Sequence, residues 1–214
     1  MNAFIKRPDR AQGRRDAQKE ATRARILETA RDHFERHGFE AANVRAIAAD
    51  AGVAAGTVLL HFQDKRDLLH AALFDDLAAT AADAVADEQP GTLEQRLHRL
   101  AAAFFAYYAR RPALSKTLLR EALFADPPWQ ERFTGQVASV HARVVALFNA
   151  ARAGGEVAED ADAALFGVAF FSFYYFTLIA WVQGAHPAPL ALLDRLVAQH
   201  LCGLRPADHT GRSR

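Results

Sequence analysis

The sequence has very few of the residues from which disulfides, zinc sites and catalytic nucleophiles are built. Cys202 is the only cysteine, which excludes an intramolecular disulfide and a cysteine-built zinc site and favours a reducing compartment. The four serines stand in no nucleophile-elbow sequence, and no glycine-rich phosphate loop with its lysine is present. We therefore expect a protein that is not an enzyme and that has no cofactor.

A histidine pair is the one hint of a metal site. His33 and His37 stand four residues apart on a predicted helix, a spacing that could seat a metal ion. Because no third ligand is evident, we expect two solvent-facing histidines and no bound metal.

Signals for secretion and membrane insertion are also weak. The first 25 residues contain no apolar run of signal-peptide length, which favours a cytoplasmic protein. Residues 163–182 carry no charge and are long enough to span a membrane. The preceding residues are acidic and the next basic residue downstream is Arg195, so neither flank offers the usual basic anchor. We expect a helix buried on all sides by protein and no membrane partner, with a membrane-associated helical protein as the alternative.

Charge is divided unevenly along the chain. Residues 1–66 hold 13 Lys/Arg against 9 Asp/Glu, whereas residues 67–214 hold 13 against 16. Residues 1–25 alone carry eight basic side chains. A basic segment suits a polyanion, because neutralising phosphates releases counterions, although a solvated tail has the same composition. We predict a basic, flexible arm over residues 1–20.

The spacing of Ala and Leu residues, interrupted at Pro and Gly, predicts an all-α protein. No alternating β-branched run is bounded by turns, so no strand is expected. About nine helices are predicted, with a disordered tail after them over 205–214. The predicted helices cover residues 18–37, two short helices within 44–61, and then 65–87, 92–111, 113–125, 129–152, 160–183 and 189–201.

Residues 43–58 have the spacing of a helix-turn-helix. Asn43 can cap a short helix over 44–50, because its side-chain oxygen can accept a hydrogen bond from a first-turn N–H group. Gly52 lies where the chain must turn, and a left-handed conformation costs glycine little. Four apolar residues are spaced to pack the two helices together. They are Ile47, Ala48, Val53 and Val58.

The stretch HGFEAANVRAIAADAGVAAGTVLLHFQDKRDLLHAAL, residues 37–73, resembles the TetR/AcrR family of bacterial transcriptional regulators. The resemblance implies a homodimer with a three-helix DNA-binding domain over 21–66 and a ligand-binding and dimerisation domain over 67–204. The implied function is repression from a palindromic operator that a small molecule relieves. The matching residues are Gly38-Phe39, Ile47-Ala48, Ala51-Gly52-Val53, Gly56-Thr57, His61-Phe62, Lys65 and Leu68-Leu69.

The chain departs from the family pattern in the helix that would read DNA. Leu59 stands where the family commonly has a tyrosine, and Ala54 where it commonly has a Ser or Thr cap. From Val53 to Leu60 only Thr57 has a hydrogen-bonding side chain. We therefore expect readout mainly by shape and methyl contact, and a weakly specific DNA-binding protein of the same fold is the alternative.

The DNA-binding residues follow from the resemblance. Three small residues would approach the major groove, where Thr57 can meet a base edge or a thymine methyl group, and four others match backbone-contacting positions. Lys65 could instead be a solvated first-turn residue, and His61 a structural link to the next helix. The arm would add minor-groove or phosphate contacts. The predicted residues are Asn43, Arg45, Ala55, Gly56, Thr57, His61 and Lys65.

Aromatic residues are concentrated in the second half of the chain, where 16 of the 21 lie between Phe104 and Trp181. They can enclose an apolar pocket or form a dimer interface, and the resemblance implies that the last two helices pair with those of a second subunit. With few charges nearby beyond Arg120 and Glu121, we expect a small hydrophobic or aromatic effector. The predicted ligand-binding residues are Phe104, Tyr108, Leu119, Phe124, Trp129, Phe133, Phe148, Phe170 and Tyr174.

Overall fold

The computed structural model describes the backbone of residues 10–122 and 127–206, and the side chains of 12–120 and 127–206. Over these residues the chain forms nine α-helices and no strand, which confirms the predicted all-α class. The chain divides into two compact units, one ending at Leu73 and the other beginning at Phe74. The helices are α1 (Arg10–Ala41), α2 (Val44–Asp50), α3 (Ala55–His61), α4 (Lys65–Ala86), α5 (Leu93–Arg110), α6 (Pro112–Ala122), α7 (Trp129–Ala153), α8 (Ala163–Val182) and α9 (Pro189–Cys202).

The start of α1 differs from the prediction. The helix begins at Arg10, eight residues before the predicted start at residue 18, and residues 1–9 lie outside the described part of the chain. A basic arm over residues 1–20 stays a prediction. Residues 10–20 contain no proline and are mostly Ala, Arg, Gln and Lys, which are strong helix formers. Arg23 also lies 3.8 Å from Glu20, one turn away. At the other end, Gly38 has φ 73° and kinks the helix where the apolar pattern stops.

The first unit is a three-helix core extended by the beginning of α4. Ile26 and Phe34 of α1 are buried with Ile47 of α2 and Val58 of α3. The boundary falls seven residues later than predicted because the first turns of α4 belong to this core. Leu68 and Leu69 are fully buried, and Nε of Arg31 donates a hydrogen bond of 2.7 Å to the carbonyl oxygen of Ala72.

The second unit packs α8 between α7 and α9, with α5 against both α7 and α9. Phe148 of α7 stacks on Phe166 of α8 with ring centroids 4.4 Å apart. Gly167 allows these two helices to approach closely, because a Cβ atom there would lie 2.7 Å from Nε2 of His141. The predicted bounds of α4, α5, α7 and α9 agree with the structure to within two residues.

One face of α8 remains exposed within a single chain. The helix is long and apolar enough to cross a membrane, and 39% of its most apolar 18-residue window is buried inside the chain. The prediction of a helix buried on all sides is therefore not met by one subunit alone. Apart from Ala164 in the first turn, the exposed residues recur every three or four positions, so they form one stripe. They are Leu165, Val168, Ser172, Phe176 and Ile179.

The end of the chain is tied to α5 as far as it is described. Nη2 of Arg205 lies 3.4 Å from Oε1 of Glu94, and the backbone N–H of Ala158 donates to the carbonyl oxygen of Leu204. Arg205 is thus the one residue of the predicted disordered tail for which the structure describes a side-chain contact, and the disordered tail stays a prediction. Residues 207–214 of that tail lie outside the described residues.

Candidate nucleic-acid interface and ligand cavity

Helices α2 and α3 form the predicted helix-turn-helix. Their axes differ by 103°, within the range of about 90–120° typical of this motif. Oδ1 of Asn43 accepts a hydrogen bond of 2.8 Å from the backbone N–H of Arg45, which confirms the predicted cap. Gly52 has φ 67° and makes the turn. Ile47, Ala48 and Val58 are buried between the helices, and Val53 is half-buried.

The exposed surface of α3 is small and apolar. Val58 is buried, and Ala55, Thr57 and His61 are half-buried. Ala54 precedes the helix without a side-chain cap, as its sequence requires. Gly56, Leu59 and Leu60 face away from the core. Leu59 and Leu60 are not among the predicted DNA-binding residues, although the sequence indicates their exposure: the spacing from Val58 to Phe62 marks the core face and leaves both leucines off it.

Lys65 is held by the protein itself. Its Nζ donates hydrogen bonds to the carbonyl oxygens of Glu40 at 3.0 Å and Ala42 at 3.3 Å, and lies 4.6 Å from the centroid of the Phe39 ring. The alternative of a solvated first-turn residue is therefore wrong. An ammonium group has three donors, so these two bonds leave one for a phosphate, and DNA contact by Lys65 stays a prediction.

His61 lies at the end of α3 among basic residues of α1. Its pKa is lowered by partial burial and by the positive charges of Lys19 and Arg23, against a smaller opposite effect of Glu20. The imidazole is therefore mainly neutral at pH 7, which weakens any attraction to phosphate. Because Lys19 and Arg23 act on His61, part of the basic N-terminal segment lies close to the end of α3.

The remaining predicted DNA residues of α2 are accessible. Asn43 and Arg45 are exposed at the first turn of the helix. All seven predicted DNA-binding residues thus lie in the helix-turn-helix and the first turn of α4.

The histidine pair is not the solvated pair that the sequence predicted. His33 is 5% exposed, and its Nε2 lies 2.7 Å from Oδ2 of Asp50. Helix α2 covers His33 but leaves His37 exposed one turn further on. Across residues 12–120 and 127–206, no group of three or more His, Cys, Asp or Glu side chains could hold a metal ion.

In the second unit, five of the predicted ligand residues surround one cavity of about 40 Å³. Such a volume holds water but is well below the roughly 300–1,000 Å³ of ordinary ligand sites, so a larger ligand requires side chains to move. The five residues are Phe104, Tyr108, Phe133, Phe170 and Tyr174. Sequence reasoning missed the other lining residues, Leu77, Leu100, Ala101, Gln136, Val137, Val140, Phe171 and Tyr175.

Three predicted ligand residues lie elsewhere. Phe148 is fully buried in the core against Phe166. Trp129 stacks on the ring of Phe74 with centroids 5.4 Å apart. Leu119 is half-buried on α6, because its neighbour Leu118 occupies the inward position. Phe124 lies outside the described residues.

Polar atoms are few in the cavity wall. Burial raises the pKa of Tyr108 to about 12 and that of Tyr174 well above its usual value. The buried Nε2 of Gln136 has no hydrogen-bond partner. An unpaired buried donor is costly, so this amide is the polar atom most able to bind a ligand.

Phe170 also lines a second, more open space. A groove of about 550 Å³ lies beside α5 and α9. Nδ1 of His98 lies 2.9 Å from Oδ2 of Asp194 at its edge, and Arg99 pairs with Asp87. Phe170 therefore lines both the small cavity and this groove.

Known proteins share both the motif and the fold. Residues 26–72 match the family described as bacterial regulatory proteins, tetR family. Over 149 residues the chain is 33% identical to the HTH-type transcriptional repressor KstR of Mycobacterium tuberculosis, covering 68% of this chain and 64% of that protein. Identity to KstR of Mycolicibacterium smegmatis is 34% over 149 residues, covering 68% and 69%. The chain thus spans slightly less than two thirds of the first relative.

Solved structures agree in fold along most of the chain. A TetR transcription regulator from Haloarcula marismortui has a TM-score of 0.74 at 20% identity, covering 86% of this chain and 98% of that one. The regulator FadR from Bacillus subtilis, in complex with stearoyl-CoA, has a TM-score of 0.66 at 19% identity, covering 85% and 99%. At these identities the likeness shows the fold alone.

Proposed function

This chain belongs to the TetR family of bacterial regulatory proteins, and we propose on that basis that it is a ligand-responsive transcriptional repressor. The observation that carries the proposal is the helix-turn-helix of Val44–Asp50 and Ala55–His61, with its helices at 103° and an exposed face on α3. Its first unit binds a palindromic operator, and a small molecule bound in the second unit weakens that binding. The related KstR proteins are named as repressors.

The proposed DNA surface has residues that contact the phosphate backbone and small residues that let α3 approach the bases. Asn43, Arg45, His61 and Lys65 contact the phosphate backbone, and Ala55, Gly56 and Thr57 enter the major groove. Gly56 supports this arrangement. A Cβ atom at Gly56 would meet nothing within 4 Å, so the fold itself has no need of glycine in this helix. Because glycine costs about 1 kcal/mol relative to alanine inside a helix, an approaching DNA strand is a reason for it.

Fluorescence anisotropy tests the DNA-binding proposal. The purified chain is titrated onto DNA from upstream of its own gene and onto scrambled DNA of the same length, across a salt series. A site-specific repressor prefers the natural fragment, and Thr57→Ala reduces that preference while Arg45→Ala weakens binding to both. Lys116→Ala, which removes one positive charge from an exposed site on α6 in the second unit, is the control. Equal binding to both DNAs, lost together as salt rises, identifies the weakly specific alternative.

The proposed effector is an uncharged, mainly apolar or aromatic molecule with one hydrogen-bond acceptor. Apolar and aromatic side chains form most of the cavity wall, and the amide of Gln136 can donate a hydrogen bond to an acceptor on the ligand. Binding displaces rings such as Phe170, because the cavity of about 40 Å³ is too small for such a molecule. A shift of these helices is the route by which binding would reach the DNA-binding unit.

A ligand panel tests the effector proposal in two ways. Uncharged aromatic compounds are the expected effectors in the panel. Long-chain fatty acids and acyl-CoA thioesters serve as its anionic comparison, the last because FadR of Bacillus subtilis was solved with stearoyl-CoA. A true effector raises the melting temperature of the free protein and releases bound DNA. Gln136→Leu should weaken both effects together, since it keeps the side-chain volume and removes the amide. If an effector raises the melting temperature and releases DNA equally well for Gln136→Leu and the wild type, it does not bind in this cavity.

We also propose a cytoplasmic homodimer formed through α8 and α9. The stripe of Leu165, Val168, Ser172, Phe176 and Ile179 is apolar apart from one serine. Pairing of this stripe with a second copy would bury it, and two copies of α3 would then face a palindromic site.

A further inference from the structure

The surface of α3 that faces away from the core carries almost no polar side chain. The leucines at its centre are unusually accessible, Leu59 at 58% and Leu60 at 83%. Gly56 lies one turn before Leu60 on the same face and adds no side chain. Thr57, the polar residue of this helix before His61, is half-buried.

The fold does not account for this pair of leucines. The core contacts of this segment are made by Val58 and Phe62, which are 1% and 3% exposed. Exposing two adjacent leucines on a short helix is unfavourable in water, since roughly 25 cal/mol is lost for each Å² of apolar surface left unburied. A binding partner would explain why the two leucines are exposed, and this partner must offer an apolar group to this face.

DNA is the partner that the surroundings favour. Arg23 lies 5.6 Å from the centroid of the Phe62 ring at the end of α3, and Arg45 is exposed at the start of α2. Lys19 and one opposite charge, Glu20, also act on His61, so positive charge predominates there. Positive charge around an apolar centre suits a groove bordered by phosphates. Leucine can neither donate nor accept a hydrogen bond, and the apolar group on base edges in the major groove is the thymine C5-methyl.

We propose that Leu59 and Leu60 are specificity-determining residues that read thymine methyl groups in the operator. The inference rests on the proposed DNA-binding function and assigns base readout to residues outside the Ala55–Gly56–Thr57 set. Burying one methyl group changes affinity by roughly fourfold, so loss of the same methyl from both half-sites of a palindrome costs about fifteenfold.

Uracil substitution tests the proposal, because replacing thymine by uracil removes the methyl group and keeps the base pair. The full chain is first used to select binding sites from a pool of random duplex DNA. The selected site is then synthesised with uracil at one symmetric thymine pair at a time. Affinity is measured for the wild type, Leu59→Ala, Leu60→Ala and Gln63→Ala, the last being an exposed control beside the same surface.

The expected result is a coupled loss. Uracil at one or two positions weakens the wild type and Gln63→Ala by about fifteenfold, whereas the matching leucine variant binds both DNAs equally. Since both leucines are exposed and alanine favours helix, these variants should fold, and circular dichroism checks this. The loss of wild-type affinity on uracil substitution can be measured even if a leucine variant does not fold.

Three other outcomes would overturn the inference. If no sequence is enriched from the pool, the proposed specific DNA binding fails and the inference fails with it. If a site is enriched but uracil has no effect, or has the same effect on both leucine variants, the repressor proposal stands and the methyl-reading role is wrong. If the leucine changes alter oligomer size or binding to anionic vesicles and leave DNA binding intact, the face serves a protein or a membrane instead.

Discussion

The buried imidazole of His33 in α1 lies 2.7 Å from the carboxylate of Asp50 at the end of α2, just before the turn into α3. A carboxylate only accepts hydrogen bonds, so Nε2–H of His33 donates. The bond joins the scaffold helix to the helix that supports α3.

Asp50→Ala should lower the free energy of unfolding of the first unit by about 1–2 kcal/mol, because it leaves a buried donor unpaired. Urea denaturation measures the loss. Asp83→Ala, at an exposed position of α4, is the matched control and should change little. An unchanged midpoint for Asp50→Ala would mean that water satisfies His33 equally well.

Lys65→Met should destabilise the same unit by about 1–2 kcal/mol, since two carbonyl oxygens at the end of α1 lose a charged donor. Thermal unfolding tests this, with Arg66→Met as the exposed neighbouring control. DNA affinity measured at a temperature where both variants are folded then separates the two roles of Lys65. If the folded Lys65→Met variant binds DNA more weakly, Lys65 contacts a phosphate. If its affinity is unchanged, Lys65 has only the structural role.

His61 should make the stability of the first unit depend on pH. Its folded pKa is lowered, so the unfolded chain binds the proton more readily. The stability contribution is complete above the ordinary histidine pKa and is lost as pH falls through the folded pKa. On acidification, the melting temperature of the wild type should therefore fall more than that of His61→Gln.

DNA binding by His61 should have the opposite pH dependence. A phosphate beside the imidazole favours its protonated form, so affinity should rise as pH falls, and His61→Gln should remove this rise. Anisotropy at constant ionic strength measures it. If the wild type and the variant have the same pH profile, His61 is the structural link to α4 instead of a phosphate contact.

Tyr108 and Tyr174 should resist ionisation while the second unit is folded. Burial raises the pKa of Tyr108 to about 12 and that of Tyr174 well above its usual value. Absorbance near the tyrosinate band at pH 11 should therefore rise when urea is added, with these two residues contributing somewhat less than two tyrosine equivalents. A group with a raised folded pKa loses its stabilising contribution as pH rises, so stability should fall above about pH 10.

Phe176→Glu should dissociate the proposed dimer, because it places a charge in the exposed apolar stripe of α8. Sedimentation equilibrium should show a wild-type dimer and a monomeric variant. Ala138→Glu, exposed on α7, introduces the same charge away from the stripe and should remain dimeric. A wild-type monomer would remove the dimer proposal and leave the stripe available to another partner.

Much of the fold was predictable because its signals are local. The cap at Asn43, the turn at Gly52 and the core positions Ile47 and Val58 depend on spacing within one short segment. The cavity was predicted in part: aromatic composition pointed to Phe104, Tyr108 and Tyr174, but it also pointed to Phe148, which the core buries. Composition cannot tell a cavity wall from a packed core, since both need the same apolar rings.

The sequence by itself determined an all-α chain with a helix-turn-helix near its N-terminus, because helical periodicity and capping act over a few residues. The tertiary structure decided which side chains meet across distant segments. It paired His33 with Asp50, seated Lys65 on the end of α1, left Gln136 without a partner in the cavity and exposed Leu60. Such contacts depend on how helices far apart in sequence cross, and no local pattern records that geometry.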